Sequence, residues 1–422
     1  QAGQKAAQRA IDILNRAGLE VRVLKLPGAK DPDDYIKNNG RDAFSDLLFP
    51  GTTTVQTRIR YFLLIPWAYL RVEAYARGGA ERSADQVAGR ARELEVATIR
   101  ALLAGDDKEG VLGRDARELL KQLPSRIYWQ GLGVWGIRRF PGSRAQLHRE
   151  LARTSRVSGL AEFRDPDEDV GLVGRRSANW HEGLPDPPVD VFTKSSFALR
   201  PEDAYYLRDR ILSSTADTLL AHLVAITVTP TDVDAPWLHP GWAEFPPVHR
   251  EQLHHARVFA TVIRGATLLY NLMLARKKSE GVEASLELVH TYEQRLEEWQ
   301  LEMEDLGDEL DRWAQPSDQA RFWALVESTG ARVVRTRRFV ESWVDIALGD
   351  RASLRDDHSA QQLIRDREIG LKRGLARLEN PHALEGWSEA SGIGPITYRW
   401  STVQTFMNDI ATGLRGADAA AD

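Results

Sequence analysis

The side chains Phe259, Val262, Ile263, Ala266, Leu269, Tyr270 and Met273 recur at the i, i+3, i+4 spacing of an α-helix, in a stretch that begins near Val248. A second run follows from Ser285 to Trp313, with Leu286, Leu288, Val289, Tyr292, Leu296, Trp299, Met303, Leu306 and Leu310 on its apolar face. The opposite face is densely acidic, carrying Glu297, Glu298, Glu302, Glu304, Asp305, Asp308 and Glu309. Two long amphipathic helices joined by a short turn at Glu280 and Gly281 predict an antiparallel hairpin, which commits this part of the chain to helix-on-helix packing. The acidic face reads as solvated surface, with partner docking or mimicry of DNA as the alternative.

The pattern elsewhere predicts a mainly α protein whose body has two helical lobes. Tyr61 to Leu70 is strongly apolar but only about half as long as a membrane-spanning helix; it contains Pro66 and is flanked by Arg60 and Arg71. It is expected to be a buried helix, and no membrane association is expected. Gly159 to Val191 is rich in Gly, Pro and Asp and lacks helical periodicity, as a connection between lobes does. The predicted organisation is a short α/β segment over 1–48, a helical lobe over 49–158, an irregular connection over 159–199, a long-helix lobe over 200–415 and a disordered Ala/Asp-rich tail over 416–422. Thr229 to Pro247 is a second irregular insert, in which Trp237 and Trp242 are expected to cover a lobe or face a partner.

Composition narrows the chemistry. Cysteine is absent, so disulfides, thiolate metal sites and a cysteine nucleophile are excluded, and a cytoplasmic protein is the natural reading. A net charge of −5 and a pI near 6.1 argue against nucleic-acid binding by bulk charge, so any such surface must be local. One candidate is Arg126, Arg138, Arg139 and Arg144, interleaved with Tyr128, Trp129 and Trp135. There, two short helical stretches flank a turn at Phe140 to Gly142, with the spacing of a helix-turn-helix. The competing reading makes the aromatics core and has the arginines cover its edge with their alkyl stems. A second candidate is Arg335 and Arg338, with Arg332 and Arg337, at the start of the helix that contains Trp343. Arginines at a helix N-terminus oppose the dipole, so phosphate or the preceding acidic helix should compensate them. Arg365, Asp366, Arg367, Glu368, Lys372 and Arg373 form a third group, suited to a phosphodiester or to an internal ion network. His254 and His255 are adjacent, so they cannot make an i, i+4 metal pair, and Gly392-Ile393-Gly394-Pro395 reads as a turn. No self-contained catalytic constellation is visible.

The first 48 residues differ from the rest. Gln4 to Ala17 is helical in pattern, Leu19 to Leu26 alternates as a strand does, and Asp31, Asp33 and Asp34 open another helical stretch. Gly3-Gln4-Lys5-Ala6 followed by LPGAKDPDDYI resembles the C-terminal half of the TOPRIM domain of DnaG-type bacterial DNA primases. That resemblance implies template-directed RNA primer synthesis, with Asp31 and Asp33 contributing carboxylates to a Mg²⁺ site. The family's glutamate strand and Asp-x-Asp strand would precede Gln1, so the site is expected to be incomplete and the chain chimeric or truncated. The function expected from this segment is therefore a fragment's.

From Arg41 to about Leu414 the words FPGTTTVQTRIRYFLLIPWAYL, IYWQGLGVWGIRRF, REIGLKRGLARLENPHALEGW and ITYRWSTVQTFMNDIATGL resemble an uncharacterised bacterial family, a domain of unknown function. The resemblance implies a family but no activity, with its genes expected among mobile-element and anti-phage defence genes. The expected function is binding of DNA, or of a protein partner in a defence or replication complex.

Overall fold

The computed structural model describes residues 46, 48–78, 80–114, 120, 122–159, 177–226, 232–279, 286–330, 333–349 and 351–421. The primase-like segment with Asp31 and Asp33, residues 160–176 of the irregular connection, the turn at Glu280 and Gly281, and Arg332 lie outside the described residues. The protein is mainly α. Among the described residues there is no strand, only a single antiparallel bridge between Arg138 and Trp180.

Helix α1 (Tyr61–Arg77) is apolar around most of its circumference, and every residue from Tyr61 to Tyr69 is buried, as suits a central helix. Pro66 sits inside it, leaving out one main-chain donor. Around α1 pack α2 (Ala84–Leu103), which starts with a Ser83–Gln86 capping box, α3 (Pro124–Val134) and α4 (Arg144–Gly159). Then come α5 (Pro201–Ser214) and α6 (Leu219–Ala225).

The hairpin forms as its periodicity predicts. Helix α7 (Pro247–Ser279) packs along α8 (Leu286–Leu306), and Gly265 makes the approach close: a Cβ there would lie 2.4 Å from Cζ2 of Trp299. The Trp299 indole donates to the carbonyl of Thr261 at 2.7 Å. The expected single helix over Ser285 to Trp313 is broken, because Gly307 takes a positive φ of 42° and starts a new helix, α9 (Asp308–Trp313). The break lets Leu310 and Trp313 be buried. Helices α10 (Pro316–Ser328), α11 (Val334–Ala347), α12 (His358–Lys372) and α13 (Pro381–Glu385) complete this part, with α11 and α12 both against α7. Among the described residues, α7 alone is long and apolar enough to cross a membrane, and 72 % of that stretch is buried inside the protein.

Packing departs from sequence order at the last helix. Helix α14 (Trp400–Ala421) packs on α5 and α6 and also reaches the N-terminal bundle. Phe406 contacts Phe62 and Trp135, and Asp409 pairs with Arg58 at 2.8 Å. Val403, Phe406 and Ile410 supply an apolar face at helical spacing for this aromatic floor. The backbone of α14 runs through Ala421.

Candidate functional site

Tyr270 lies on α7, and α12 brings Glu368 and Lys372, one helical turn apart, to face it. Asp357 caps the start of α12, accepting from the main-chain N–H groups of Ser359 and Ala360. At the other end Arg373 takes a positive φ of 50°, turning the chain back so that the N–H groups of Arg377 and Leu378 donate to the Glu368 carboxylate at 3.0 and 2.9 Å. Tyr270 also donates to Glu368, and the Lys372 ammonium reaches both the Tyr270 oxygen and the carboxylate at 2.8 Å. Burial acts against the charge on Glu368, but the bonds from Lys372, Tyr270 and Leu378 outweigh it and hold the carboxyl below its usual range. Burial, then the neighbouring carboxylate, raises Tyr270, so the phenol stays protonated and serves as a donor.

This cluster forms one side of a cavity of about 520 Å³. Phe259, Ile263, Phe339, Val340, Ile364 and Leu371 give it apolar walls. Its charged lining is Arg264, Arg367, Lys372 and Arg377 against Glu368, an excess of positive charge. The Gly392 to Gly394 turn closes another side, clasped by the buried Asn271, which donates to the Ser391 carbonyl at 2.8 Å and accepts from the Ser391 N–H at 3.1 Å. Arg377 donates to the Ser391 hydroxyl at 2.9 Å. Arg264 is tied to Glu302 at 2.5 Å, whereas Arg367 stacks over Phe339 and donates to Thr336 Oγ1 at 3.1 Å and the Arg335 carbonyl at 3.4 Å. An apolar chamber with a cationic mouth suits a ligand that carries an anionic group on an apolar or flat body. Among the described residues no group of His, Asp and Glu side chains is arranged to hold a metal ion.

The arginine candidates separate by what holds them. Arg335 and Arg338 are exposed on the first turns of α11, beside the cavity wall formed by Thr336 and Phe339, and neither has an ion-pair partner among the described residues. Arg337 is compensated by Glu341 at 2.8 Å and Glu327 at 3.4 Å, and not by the acidic face of α8. That face is partly paired with α7, through Arg264 to Glu302 and Arg276 to Glu293, while Glu298, Glu304 and Asp305 are exposed.

In the first group Arg126 is exposed, and Arg139 is exposed with Glu182 at 3.5 Å. Arg138 lies over the Trp129 ring and donates to the carbonyls of Trp129, Phe140 and Gly142. Arg144 donates to Ser125 Oγ at 2.7 Å. Tyr128, Trp129, Leu132 and Trp135 are core. Ser125 in turn donates to the buried Glu95, through its hydroxyl at 2.7 Å and its N–H at 2.8 Å. A larger cleft of about 790 Å³ lies near Asp409; in its lining Arg58 is held by Asp409 and Asp107, and Arg200 by Asp203.

Tyr270, Asn271 and Arg377 are site residues that the linear pattern misses. The Glu368–Lys372 spacing is the signal that could have found them, since a buried i, i+4 pair needs donors from a facing element.

Comparison with known proteins gives a family without an activity. A family of unknown function, DUF6361, matches residues 11–413, starting upstream of the resemblance seen from residue 41. A DNA primase from Clostridium acetobutylicum is 40 % identical over 58 residues, covering 14 % of this chain and 10 % of that protein. A DNA primase from Halalkalibacterium halodurans is 36 % identical over 62 residues, with the same shares of 14 % and 10 %. The chain thus spans about a tenth of the length of the curated relatives it matches. No solved structure matches. The chain belongs to the DUF6361 family.

Proposed function

We propose that this member of the DUF6361 family is a binding protein for nucleic acid, which it engages through phosphate contacts on the basic face around the Tyr270–Glu368–Lys372 cavity. One observation carries the reading. Arg335 and Arg338 stand exposed without carboxylate partners among the described residues, next to a cavity whose lining includes Arg367, Lys372 and Arg377. Two exposed arginines without a carboxylate partner among the described residues, beside a cavity lined by further cations, support an anionic partner. Phosphate contacts of this kind hold a strand without reading its sequence. Membership of a DNA-processing or defence complex belongs to the same reading.

Fluorescence anisotropy with a labelled single-stranded oligonucleotide, titrated at several salt concentrations, tests it. Wild type is expected to bind at low salt and weaken as salt rises. Arg335→Glu with Arg338→Glu should cost about tenfold or more in affinity and flatten the salt slope by roughly 0.7 for each phosphate no longer neutralised. No affinity at low salt, or an unchanged slope in the double variant, would sink the proposal. Arg126→Glu with Arg139→Glu is the parallel probe of the other basic surface.

The primase matches favour a second reading, primer synthesis through Asp31 and Asp33 with Mg²⁺. A template-dependent primer assay decides it: product that disappears with Asp31→Ala would replace the binding reading.

A further inference from the structure

A separate cleft of about 510 Å³ lies at the start of α7, where Trp237 and Trp242 of the irregular insert face the N-terminal turns of the helix. Most of its charges are settled within the protein. Glu309 receives Arg257 at 3.2 Å and His254 at 3.5 Å, while Asp318 and Glu251 are both held by Arg321. Arg250 and Arg312 are left exposed, with no ion-pair partner among the described residues. The cleft therefore offers half-buried indoles and two uncommitted guanidinium groups.

A second, independent observation points to a ligand. His255 lines the cleft, is 1 % exposed, and its Nδ1 is buried with no hydrogen-bond partner. The buried Nε2 of His254, next to it, is unpartnered as well. A buried imidazole nitrogen left unpaired costs stability unless something else meets it. Burial, then the charge of His254, pushes His255 down to about 4, so the ring is neutral and can accept or donate a single hydrogen bond.

We infer that this cleft takes a planar heteroaromatic ring bearing a phosphate, with the ring against Trp237 and Trp242, an edge atom on His255, and the phosphate on Arg250 and Arg312. Flat rings stack on indole faces, and guanidinium groups pair with phosphate through two parallel N–H donors. A free nucleoside monophosphate and an unpaired nucleotide of a single strand share this chemistry. The cleft is formed by other residues than the Tyr270 cavity, so the two sites can be tested independently.

The test uses 2-aminopurine, whose fluorescence falls on stacking, presented as its riboside monophosphate and within a single-stranded oligonucleotide, on the full chain. Saturable quenching of the monophosphate supports a free nucleotide, and saturable quenching of the strand alone supports a strand nucleotide. In either case Trp242→Ala should weaken binding by about tenfold. Arg250→Glu with Arg312→Glu, both surface changes, should weaken it by at least as much, whereas Arg335→Glu with Arg338→Glu should leave monophosphate quenching unchanged. Absence of saturable quenching in both arms overturns the inference. So does equal competition by ribose 5-phosphate and adenosine 5′-monophosphate, because it would show that no ring is recognised.

Discussion

Glu95 and Glu368 are both helical glutamates buried to within a few per cent, at 2 % and 5 % exposure, and their surroundings move them in opposite directions. Glu95 sits in the N-terminal bundle, bonded by both donors of Ser125, with Arg144 behind the Ser125 hydroxyl. Burial raises it against those bonds, and it lines none of the clefts described above. Glu368 has a lysine, a tyrosine and main-chain N–H groups directly on its oxygens, stays below its usual range, and borders a cavity. The difference teaches that burial of a charge does not mark a site. What distinguishes the second region is direct compensation by a cation together with space beside it.

Substitution can break this comparison, and the largest effect is expected at Glu368. Glu368→Ala would strand Lys372, the Tyr270 hydroxyl and the main-chain donors of Arg377 and Leu378, at a cost of about 3–5 kcal/mol in denaturant unfolding. Glu95→Ala removes hydrogen bonds to a serine and should cost less, about 1–3 kcal/mol. If Glu95→Ala proves the more damaging, the comparison is wrong.

A middle-sized effect tests the cavity's frame. Asn271 clasps both main-chain polar groups of Ser391 and accepts from the Trp387 indole at 3.2 Å, so Asn271→Ala should cost about 1–3 kcal/mol. Limited proteolysis should then cut near Gly392 sooner. Faster cleavage elsewhere, with that turn intact, would show that the clasp is not what holds the cavity closed.

The smallest effects are in the pH dependence, and they have opposite signs. A carboxyl lowered in the folded state adds stability above its ordinary value and loses it as pH falls, so the penalty for Glu368→Gln should be greatest near neutrality and shrink toward about pH 3. A raised carboxyl adds stability at low pH and loses it as pH rises. Glu95→Gln should therefore be penalised most near about pH 4 and least near neutrality. Unfolding midpoints for both variants across this range give the slopes; parallel slopes would contradict the assignment.

How much of this was legible in the chain depends on distance along it. The α7–α8 hairpin follows from local periodicity, and the Glu368–Lys372 pair from a spacing of four. Tyr270 reads only as part of an apolar face, because its hydroxyl becomes informative when a helix about a hundred positions away arrives opposite it. Arg138 and Arg144 show the same limit: a sequence reveals the charge but not that the side chains turn inward to carbonyls and to Ser125. The Gly392 turn is visible as a turn, while its clasp by Asn271 is not. Gly307 breaks the acidic helix because a positive φ there suits the burial of Trp313, a tertiary demand that overrides the local pattern.

The seating of α14 on α1 has a consequence for how the chain is made. Arg58 finds Asp409, 351 positions away, and Phe62 finds Phe406, only after the chain between them has been made. Until then the aromatic floor of this bundle lacks its cover, so α1 waits for α14 before this part of the core closes. Contacts this far apart in sequence slow folding and lengthen the exposure of apolar surface. Closure of this part of the core is thus timed by the synthesis of α14 rather than by that of α1.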